Sequence, residues 1–245
     1  MKITQLKSRA MRDTFLESIY KMMRNNQDIF FVTADFGSPV LDKIRTDCPD
    51  QFINVGIAEQ NLINVSAGIA LEGYKVYAYA IAPFITMRCF EQIRVNLALL
   101  SNIRNLNVNL IGVGAGYSYA VSGPTHQCYE DISLMRTMPN MKIFSPSDQI
   151  LAENLPKILD KISGVKYIRL DAQILEVIHT KKITKLSDGF INIISGKDIL
   201  IIATGFMVHT AINVAKNLKK KNILACVVDL FNITNFNQNN LNKLF

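Results

Sequence analysis

Short apolar runs alternate with longer amphipathic segments along the 245 residues of this chain. The short runs are rich in Val, Ile, Phe and Tyr, and several are almost continuously apolar, which is typical of strands covered by helices on both faces. We predict strands at residues 28–34, 75–82, 107–113, 141–145, 165–170, 198–204 and 223–230.

Helical periodicity occupies the segments between these runs. Near the start of the chain, Met11, Phe15, Ile19 and Met22 recur at the spacing of one helix face. Further helices are predicted over about residues 83–100, where a proline suits the first helical turn, and over about residues 208–218. Strand and helix in alternation predict an α/β fold with a parallel sheet.

A polar segment of weak periodicity divides the chain. We predict a first α/β domain at residues 1–175, a linker with an edge strand at residues 176–195, and a second, partial domain at residues 196–245. The second unit offers one strand, one helix and one more strand, which bury little surface by themselves. We therefore expect it to pack on the first domain or on another chain, unless the sequence is incomplete.

The overall composition suits a globular protein with a sizeable core, since 49% of the residues are hydrophobic and 19% are charged. No apolar run approaches the roughly 18 residues that a membrane-spanning helix needs. The four cysteines are far apart and form no CxxC pair. This spacing indicates neither a zinc site nor a disulfide framework, and it favours a reducing compartment such as the cytoplasm.

The formal net charge of +7 raises the question of nucleic acid or another anionic partner. Nucleic-acid-binding surfaces concentrate basic residues on one face and interleave them with aromatic side chains. Here the basic residues are spread along the chain, and the densest cluster, "KNLKKKN" at residues 216–222, is typical of the solvated end of a helix. We therefore expect no binding to nucleic acid.

One carboxylate, Glu59, stands in the segment "FINVGIAEQNLINVSAGIALEG" (residues 52–73), which is otherwise mostly apolar and small. A glutamate in the first turn of a helix interacts favourably with the helix dipole, and this role alone accounts for most such residues. The alternative is an acid with a function in catalysis or binding. The segment by itself leaves both interpretations open.

Two glycine-containing loops and three histidines are the other candidates for chemistry. "GVGAG" at residues 112–116 follows a predicted strand, but it lacks the third glycine of GxGxxG and is a weak signal for a dinucleotide loop. "SGPTHQ" at residues 122–127 must be irregular because of Gly-Pro, and it presents His126 either for a structural hydrogen bond or for function. His179, in the linker, and His209, on a helix, are interpreted as structural or solvated.

Four segments in order carry a family resemblance: "VTADFGS", "FINVGIAEQN", "PFITMRCFEQIR" and "GPTHQCYEDISLMRTMPNMKIFSPSD". With them, the chain from about Arg12 to Phe245 resembles the pyrimidine-binding half of transketolases and of 1-deoxyxylulose-5-phosphate synthases, which depend on thiamine diphosphate. The resemblance implies a transketolase-like pyrimidine-binding domain with a parallel sheet, followed by a partial α/β transketolase C-terminal domain.

The resemblance also implies roles for single residues near the cofactor. Glu59 matches the glutamate that shares a proton with N1′ of the aminopyrimidine ring, so that the thiazolium C2 can lose its proton. Phe84 matches the aromatic residue that stacks on the aminopyrimidine. His126 matches the loop histidine that contacts the donor substrate and the intermediate.

Further matches concern the cofactor surroundings and the substrate. Asp35 matches a carboxylate near the cofactor and the dimer contact. Arg169 matches an arginine that binds a substrate phosphate in transketolases, and Arg12 and Arg88 are additional candidates for phosphate or substrate. For each arginine, a surface salt bridge is an equally good interpretation.

Departures from the family pattern concern the substrate and the second half of the enzyme. Ser122 stands where the family usually has an aspartate that recognises a sugar hydroxyl. The sequence has no Gly-Asp-Gly with a distant asparagine, the motif that binds Mg²⁺ and diphosphate, and "SDGF" at residues 187–190 does not replace it. The resemblance therefore implies no metal ligands here and a separate partner subunit with the diphosphate domain, in a homodimer or heterotetramer.

The leading interpretation is one subunit of a split transketolase-like enzyme that transfers a two-carbon ketol unit between sugars or sugar phosphates. The alternatives are an enzyme like the 1-deoxyxylulose-5-phosphate synthases, the β subunit of a 2-oxo acid dehydrogenase, or a truncated, non-catalytic paralogue. "GPTHQ" and "RTMPNM" favour the transketolase branch, and the presence of Glu59, Phe84 and His126 argues against the non-catalytic alternative.

Overall fold

Two β-sheets organise the protein in a computed structural model that describes residues 8–180, 183 and 186–244. The strands are β1 (Ile29–Thr33), β2 (Phe52–Asn54), β3 (Lys75–Ile81), β4 (Asn107–Val113), β5 (Lys142–Phe144), β6 (Gly164–Leu170), β7 (Ile191–Ile194), β8 (Ile199–Ala203) and β9 (Ala225–Asp229). The first six strands form one sheet and the last three form the other.

Helices connect most of these strands. They are α1 (Met11–Met23), α2 (Pro39–Asp47), α3 (Glu59–Leu71), α4 (Phe90–Ile93), α5 (Asp131–Arg136), α6 (Gln149–Leu159), α7 (Met207–Lys219) and α8 (Gln238–Asn242). Two π-helical turns, Phe84–Arg88 and Arg94–Leu99, flank α4. Among the described residues, no helix is long and apolar enough to span a membrane.

The first sheet is entirely parallel, with the strand order β2-β1-β3-β4-β6-β5. One hydrophobic cluster covers each face, and the first of them includes buried residues of α1 and α6 while the second includes buried residues of α3. This double burial confirms the α/β prediction and explains the almost continuously apolar central strands. Loops that leave the carboxyl ends of the strands meet at one edge of the sheet, where ligand sites of such folds form.

The structure contains all seven predicted strands, with ends that differ by at most two residues. The short strand β2 was not predicted because its three residues are only partly buried and form no apolar run. Helix α6 was not predicted either. The helix predicted over residues 83–100 is helical, but two π-helical turns interrupt its regular α geometry.

The second sheet has the order β7-β9-β8, with β8 parallel and β7 antiparallel to the central strand β9. Strand β7 lies within the segment predicted as a linker with an edge strand. The second sheet packs against the first domain, since Ser145 donates a backbone hydrogen bond to Phe231 and Ile233 donates one to Ile143. The edge strand β5 is thereby covered by the chain that follows β9.

A buried cluster of ionisable side chains also joins the two sheets. Asp148 caps the N-terminus of α6, and its carboxylate accepts hydrogen bonds from the backbone of Ile150, Leu151, Ile178 and His179. The two ring nitrogens of His179 lie 3.1 Å from Asp148 and 3.3 Å from Asp229 at the end of β9. His179 is thus a structural residue between two carboxylates, one from each domain, and it is not solvated.

Burial and charge set the protonation of this cluster. Burial raises the pKa of Asp229 to about 7, against the opposing effects of the His179 charge and the Ser147 hydroxyl. Burial disfavours charged His179, but Asp148 and Asp229 outweigh it and raise its pKa. Burial also disfavours ionised Asp148, but hydrogen bonds and charge from His179 lower its pKa. Near neutral pH the raised pKa values of Asp229 and His179 therefore keep more proton on the cluster than the same residues hold in the unfolded chain.

We expect the free energy of unfolding to fall by about 2 kcal/mol between pH 5 and pH 8. A raised pKa contributes stability at low pH that is lost as the pH rises through the folded value, and this holds for both Asp229 and His179. Asp229→Asn cannot ionise and should flatten this decline in denaturant titrations, whereas Asp50→Asn, at an exposed turn, should keep it. Equal slopes in all three proteins would contradict the assignment.

Candidate active site

Glu59 is the first residue of α3 and lies at the carboxyl edge of the first sheet, after β2. Its carboxylate is buried, with 7% of the side chain exposed, and both of its oxygens lie 3.3 Å from Nη1 of Arg88. Arg88 itself is half-exposed. Among the described residues, Arg88 is the one cation within ion-pair distance of this buried acid.

Phe84 and Arg88 begin and end the same π-helical turn, directly after β3. The guanidinium carbon of Arg88 lies 3.8 Å from the centre of the Phe84 ring, close enough for a cation–π interaction. The wide π-helical turn keeps the two side chains on one face of the helical segment. Glu59, Arg88 and Phe84 therefore form a continuous set of contacts.

His126 joins this set from the loop after β4. Its ring meets the Phe84 ring edge-on at 5.2 Å between centres and also approaches Tyr119 at 6.3 Å. Nδ1 lies 3.0 Å from the hydroxyl of Thr125, and the backbone N–H of His126 bonds to Gly123. The structure thus brings Glu59, Phe84, Arg88 and His126 together, although they come from three different connections of the sheet. We call these four residues the edge cluster.

Asp35 follows β1 and is exposed, with a φ of 54° that is rare outside glycine. Its carboxylate accepts a hydrogen bond from the side-chain amide of Asn54, whose oxygen accepts from the backbone of Asp35 and Gly56. Asn54 was not predicted as a site residue, and its position just before the Val-Gly turn was the available signal. The network connects Asp35 to the turn that leads into Glu59.

Arg169, on β6, has 12% of its side chain exposed, and its described hydrogen bonds are to residues outside the edge cluster. It forms an ion pair with Asp131 at 2.8 Å and also approaches the hydroxyl of Ser145 at 3.4 Å. Burial works against its charge, but the Asp131 carboxylate outweighs burial and raises the arginine pKa. Asp131 also accepts a hydrogen bond from Tyr167, and this buried acid was missed in the sequence because it sits within a polar stretch of the long fourth motif.

A cavity of about 490 Å³ lies beside Arg169, between the loop after β4 and the start of α7. Its lining includes Arg169, Ser145 and Thr204. Arg12, at the start of α1, pairs with the neighbouring Asp13 at 2.9 Å, and the structure describes no contact of Arg12 with the edge cluster. The phosphate or substrate roles of Arg12, Arg88 and Arg169 stay predictions.

The glycine-rich stretch at residues 112–116 serves packing. Gly114 has a φ of 95°, and a side-chain carbon there would meet the ring of Tyr119 at 2.2 Å. No helix of the described residues begins directly after this stretch. The close approach of Tyr119 to the backbone explains the glycine, and the weak dinucleotide signal finds no support in the geometry.

The candidate site thus has a buried carboxylate at the carboxyl edge of a parallel sheet, joined through Arg88 to the aromatic ring of Phe84. Residues 7–174 match the transketolase pyrimidine-binding domain, and residues 191–245 match the transketolase C-terminal domain. The chain therefore belongs to the transketolase family, and it is a transketolase-like subunit of the kind that depends on thiamine diphosphate.

Among its relatives, an apulose-4-phosphate transketolase subunit of Phocaeicola vulgatus is 34% identical over 91% of this chain and 71% of the relative. The putative transketolase C-terminal section of Methanocaldococcus jannaschii is 31% identical over 92% of this chain and 71% of the relative. A solved structure of a split-gene transketolase, an inactive beta4 tetramer, is 30% identical with a TM-score of 0.85, and the match covers 96% of this chain and 76% of the solved chain.

Proposed function

We propose that this chain is the pyrimidine-binding subunit of a split transketolase that transfers a two-carbon ketol unit between sugars or sugar phosphates. The observation that carries the proposal is the edge cluster itself, in which the buried Glu59 carboxylate is joined to two rings at the carboxyl edge of the sheet. The names of the relatives, which describe transketolase subunits and sections, support the same interpretation. They also favour it over a 2-oxo acid dehydrogenase.

The residues of the edge cluster fit the aminopyrimidine part of thiamine diphosphate. In the structure, a planar cation with N–H donors already contacts both the Glu59 carboxylate and the Phe84 ring, so the two residues can hold a flat ring with an N–H group. Thiamine diphosphate, when bound, supplies an acidic C2–H and an electron sink for breaking a carbon–carbon bond. Glu59 would hold or move the proton at the ring nitrogen, and Phe84 would fix the plane of the ring.

His126 has a separate role in the proposal. Its Nδ1 is occupied by Thr125, and in the described part of the chain no hydrogen bond of Nε2 is found, so this nitrogen is available to an oxygen of the substrate. The half-buried ring is held by Phe84 and Tyr119, which limits its rotation. Asp35 would act through Asn54 on the turn before Glu59, and Arg169, beside its cavity, would face a substrate phosphate.

A separate chain would supply the diphosphate and Mg²⁺ site. The described residues contain no group of three or more His, Cys, Asp or Glu side chains that could hold a metal ion. Ile57, which is 78% exposed, and Met87 flank the edge cluster and offer an apolar surface for that partner. A heterotetramer of two such pairs is the assembly that we propose.

We expect the isolated chain to bind thiamine diphosphate only weakly, because its described residues form no group of His, Cys, Asp or Glu for the metal that holds the diphosphate. Calorimetry with cofactor and Mg²⁺ should show tight binding only after the diphosphate-domain subunit is added, and ketol transfer should appear with the same stoichiometry. Tight, Mg²⁺-dependent binding by the chain alone would contradict the split arrangement.

A further inference from the structure

Arg88 makes two contacts within the edge cluster, with Glu59 and with Phe84, that are unusual for a half-exposed arginine. Its guanidinium points N–H donors at a buried carboxylate, and its flat face covers an aromatic ring. The ion pair of Arg94 differs in the burial of its acid, because Arg94 bonds to Glu91 on the preceding turn and the Glu91 side chain is 61% exposed. The geometry of Arg88 therefore calls for an explanation beyond a surface salt bridge.

We propose that Arg88 occupies the aminopyrimidine position of the cofactor-free chain and must leave it before the cofactor ring can enter. A guanidinium resembles an aminopyrimidine in the two respects that Glu59 and Phe84 detect. Both groups are planar, and both present N–H donors in their plane. This inference rests on the proposed roles of Glu59 and Phe84, and it adds a control on access to their site.

The Arg88 guanidinium and an aminopyrimidine ring cannot occupy this position at the same time. The guanidinium carbon lies 3.8 Å from the centre of the Phe84 ring, which is the separation of two groups in direct contact. No second plane fits between them. The same guanidinium lies 3.3 Å from both oxygens of Glu59, so a ring nitrogen cannot reach these oxygens on that side while Arg88 is in place.

Arg88 is also well placed to move aside. Half of its side chain is exposed, and its backbone carbonyl is held by the side-chain amide of Gln60. The side chain can therefore rotate into solvent while the π-helical turn stays fixed. While it is in place, it pairs with a carboxylate that would otherwise be buried without a cation, which is a costly arrangement.

The test uses the full chain and the aminopyrimidine half of thiamine, 4-amino-5-hydroxymethyl-2-methylpyrimidine, as the probe in calorimetry. Removing the competitor by Arg88→Ala should tighten probe binding about tenfold, since the half-exposed guanidinium no longer competes through its ion pair and its cation–π contact. Arg94→Ala is the matched control, because it removes an arginine of the neighbouring turn that does not touch the site, and it should bind the probe as the wild type does.

A second readout follows the side chain itself. In the wild type, NMR signals of the Arg88 δ protons should be shifted upfield by the Phe84 ring, and saturation with the probe or the change Phe84→Leu should remove the shift. An Arg88 side chain that keeps its upfield shift at saturation would overturn the proposal. Thermal melting of each variant verifies that it is folded.

The outcomes separate this inference from the proposed function. Equal or weaker probe binding by Arg88→Ala, with binding still lost in Glu59→Gln, would overturn the role of Arg88 and leave that of Glu59 intact. Probe binding that does not depend on Glu59, or no binding by Arg88→Ala, would overturn the proposed site and the inference together. Tighter binding by Arg88→Ala that is lost in Glu59→Gln/Arg88→Ala is the result that we expect.

Discussion

Glu59→Gln in the assembled enzyme should slow exchange of the thiamine diphosphate C2 proton, and ketol transfer with it, by about 10²- to 10⁴-fold. The substitution preserves the size of the side chain, but an amide cannot share a proton with a ring nitrogen as a carboxyl group does. NMR measurement of C2–H exchange in wild-type and variant complexes tests this directly. Ketol transfer is measured in parallel.

The stability of the isolated chain distinguishes the two explanations of Glu59. If Glu59 serves only the helix dipole, Glu59→Gln should lower the free energy of unfolding by about 0.3–1 kcal/mol. If Glu59 is instead held in place for function, the free energy of unfolding of Glu59→Gln should equal or exceed that of the wild type, because a functional group is often not optimal for folding. Glu91→Gln, at an exposed ion pair with Arg94, is the control and should leave exchange unchanged. Equal exchange rates in wild type and Glu59→Gln would leave Glu59 with a purely helical role.

His126→Ala should lower turnover of the assembled enzyme by about 10²- to 10³-fold, the typical loss when a hydrogen bond to a reacting oxygen is removed. The ring of His126 also packs against Phe84 and Tyr119, so truncation alone would mix chemistry with packing. His126→Phe separates the two effects, since it keeps an aromatic ring in the same place and removes both nitrogens. Turnover is measured together with the melting temperature.

We expect both His126 variants to lose turnover to a similar extent, and the Phe variant to melt close to the wild type. A His126→Phe enzyme with nearly normal turnover would show that the ring serves only to shape the loop. A large fall in melting temperature with little kinetic loss in His126→Ala would lead to the same conclusion.

The sequence was sufficient to predict the parallel sheet and all of its strands except the short β2. Continuous apolar runs indicate strands buried on both faces, and parallel strands bring the segments after them to one edge. That Glu59, Phe84 and His126 share a site was predicted from the family resemblance of the four ordered motifs, and the parallel sheet explains why residues so far apart in the chain lie together. Glu59 was also conspicuous as the one acid at the start of an apolar helix.

The sequence could not predict which side chains from distant segments contact one another. Arg169 looks like an unpaired arginine on a strand, and only the fold shows that Asp131, 38 residues away, neutralises it. Nothing in a polar linker signals that His179 is buried between two carboxylates from different domains. The contact of Arg88 with Phe84 depends on a π-helical turn, which has the same apolar pattern as an α-helix until its geometry is known.

The four cysteines can report the order in which parts of the protein open. All four are unpaired and buried, and burial raises the pKa of Cys89 and Cys128 to about 12. Because the thiolate is the reactive form, a thiol reagent modifies each of them at the rate at which its surroundings open. Cys89 follows Arg88, Cys128 closes the His126 loop against Gly116, and Cys226 lies on β9. Their labelling rates therefore report separately on the opening of the π-helical turn at Phe84–Arg88, of the loop that carries His126, and of the second sheet.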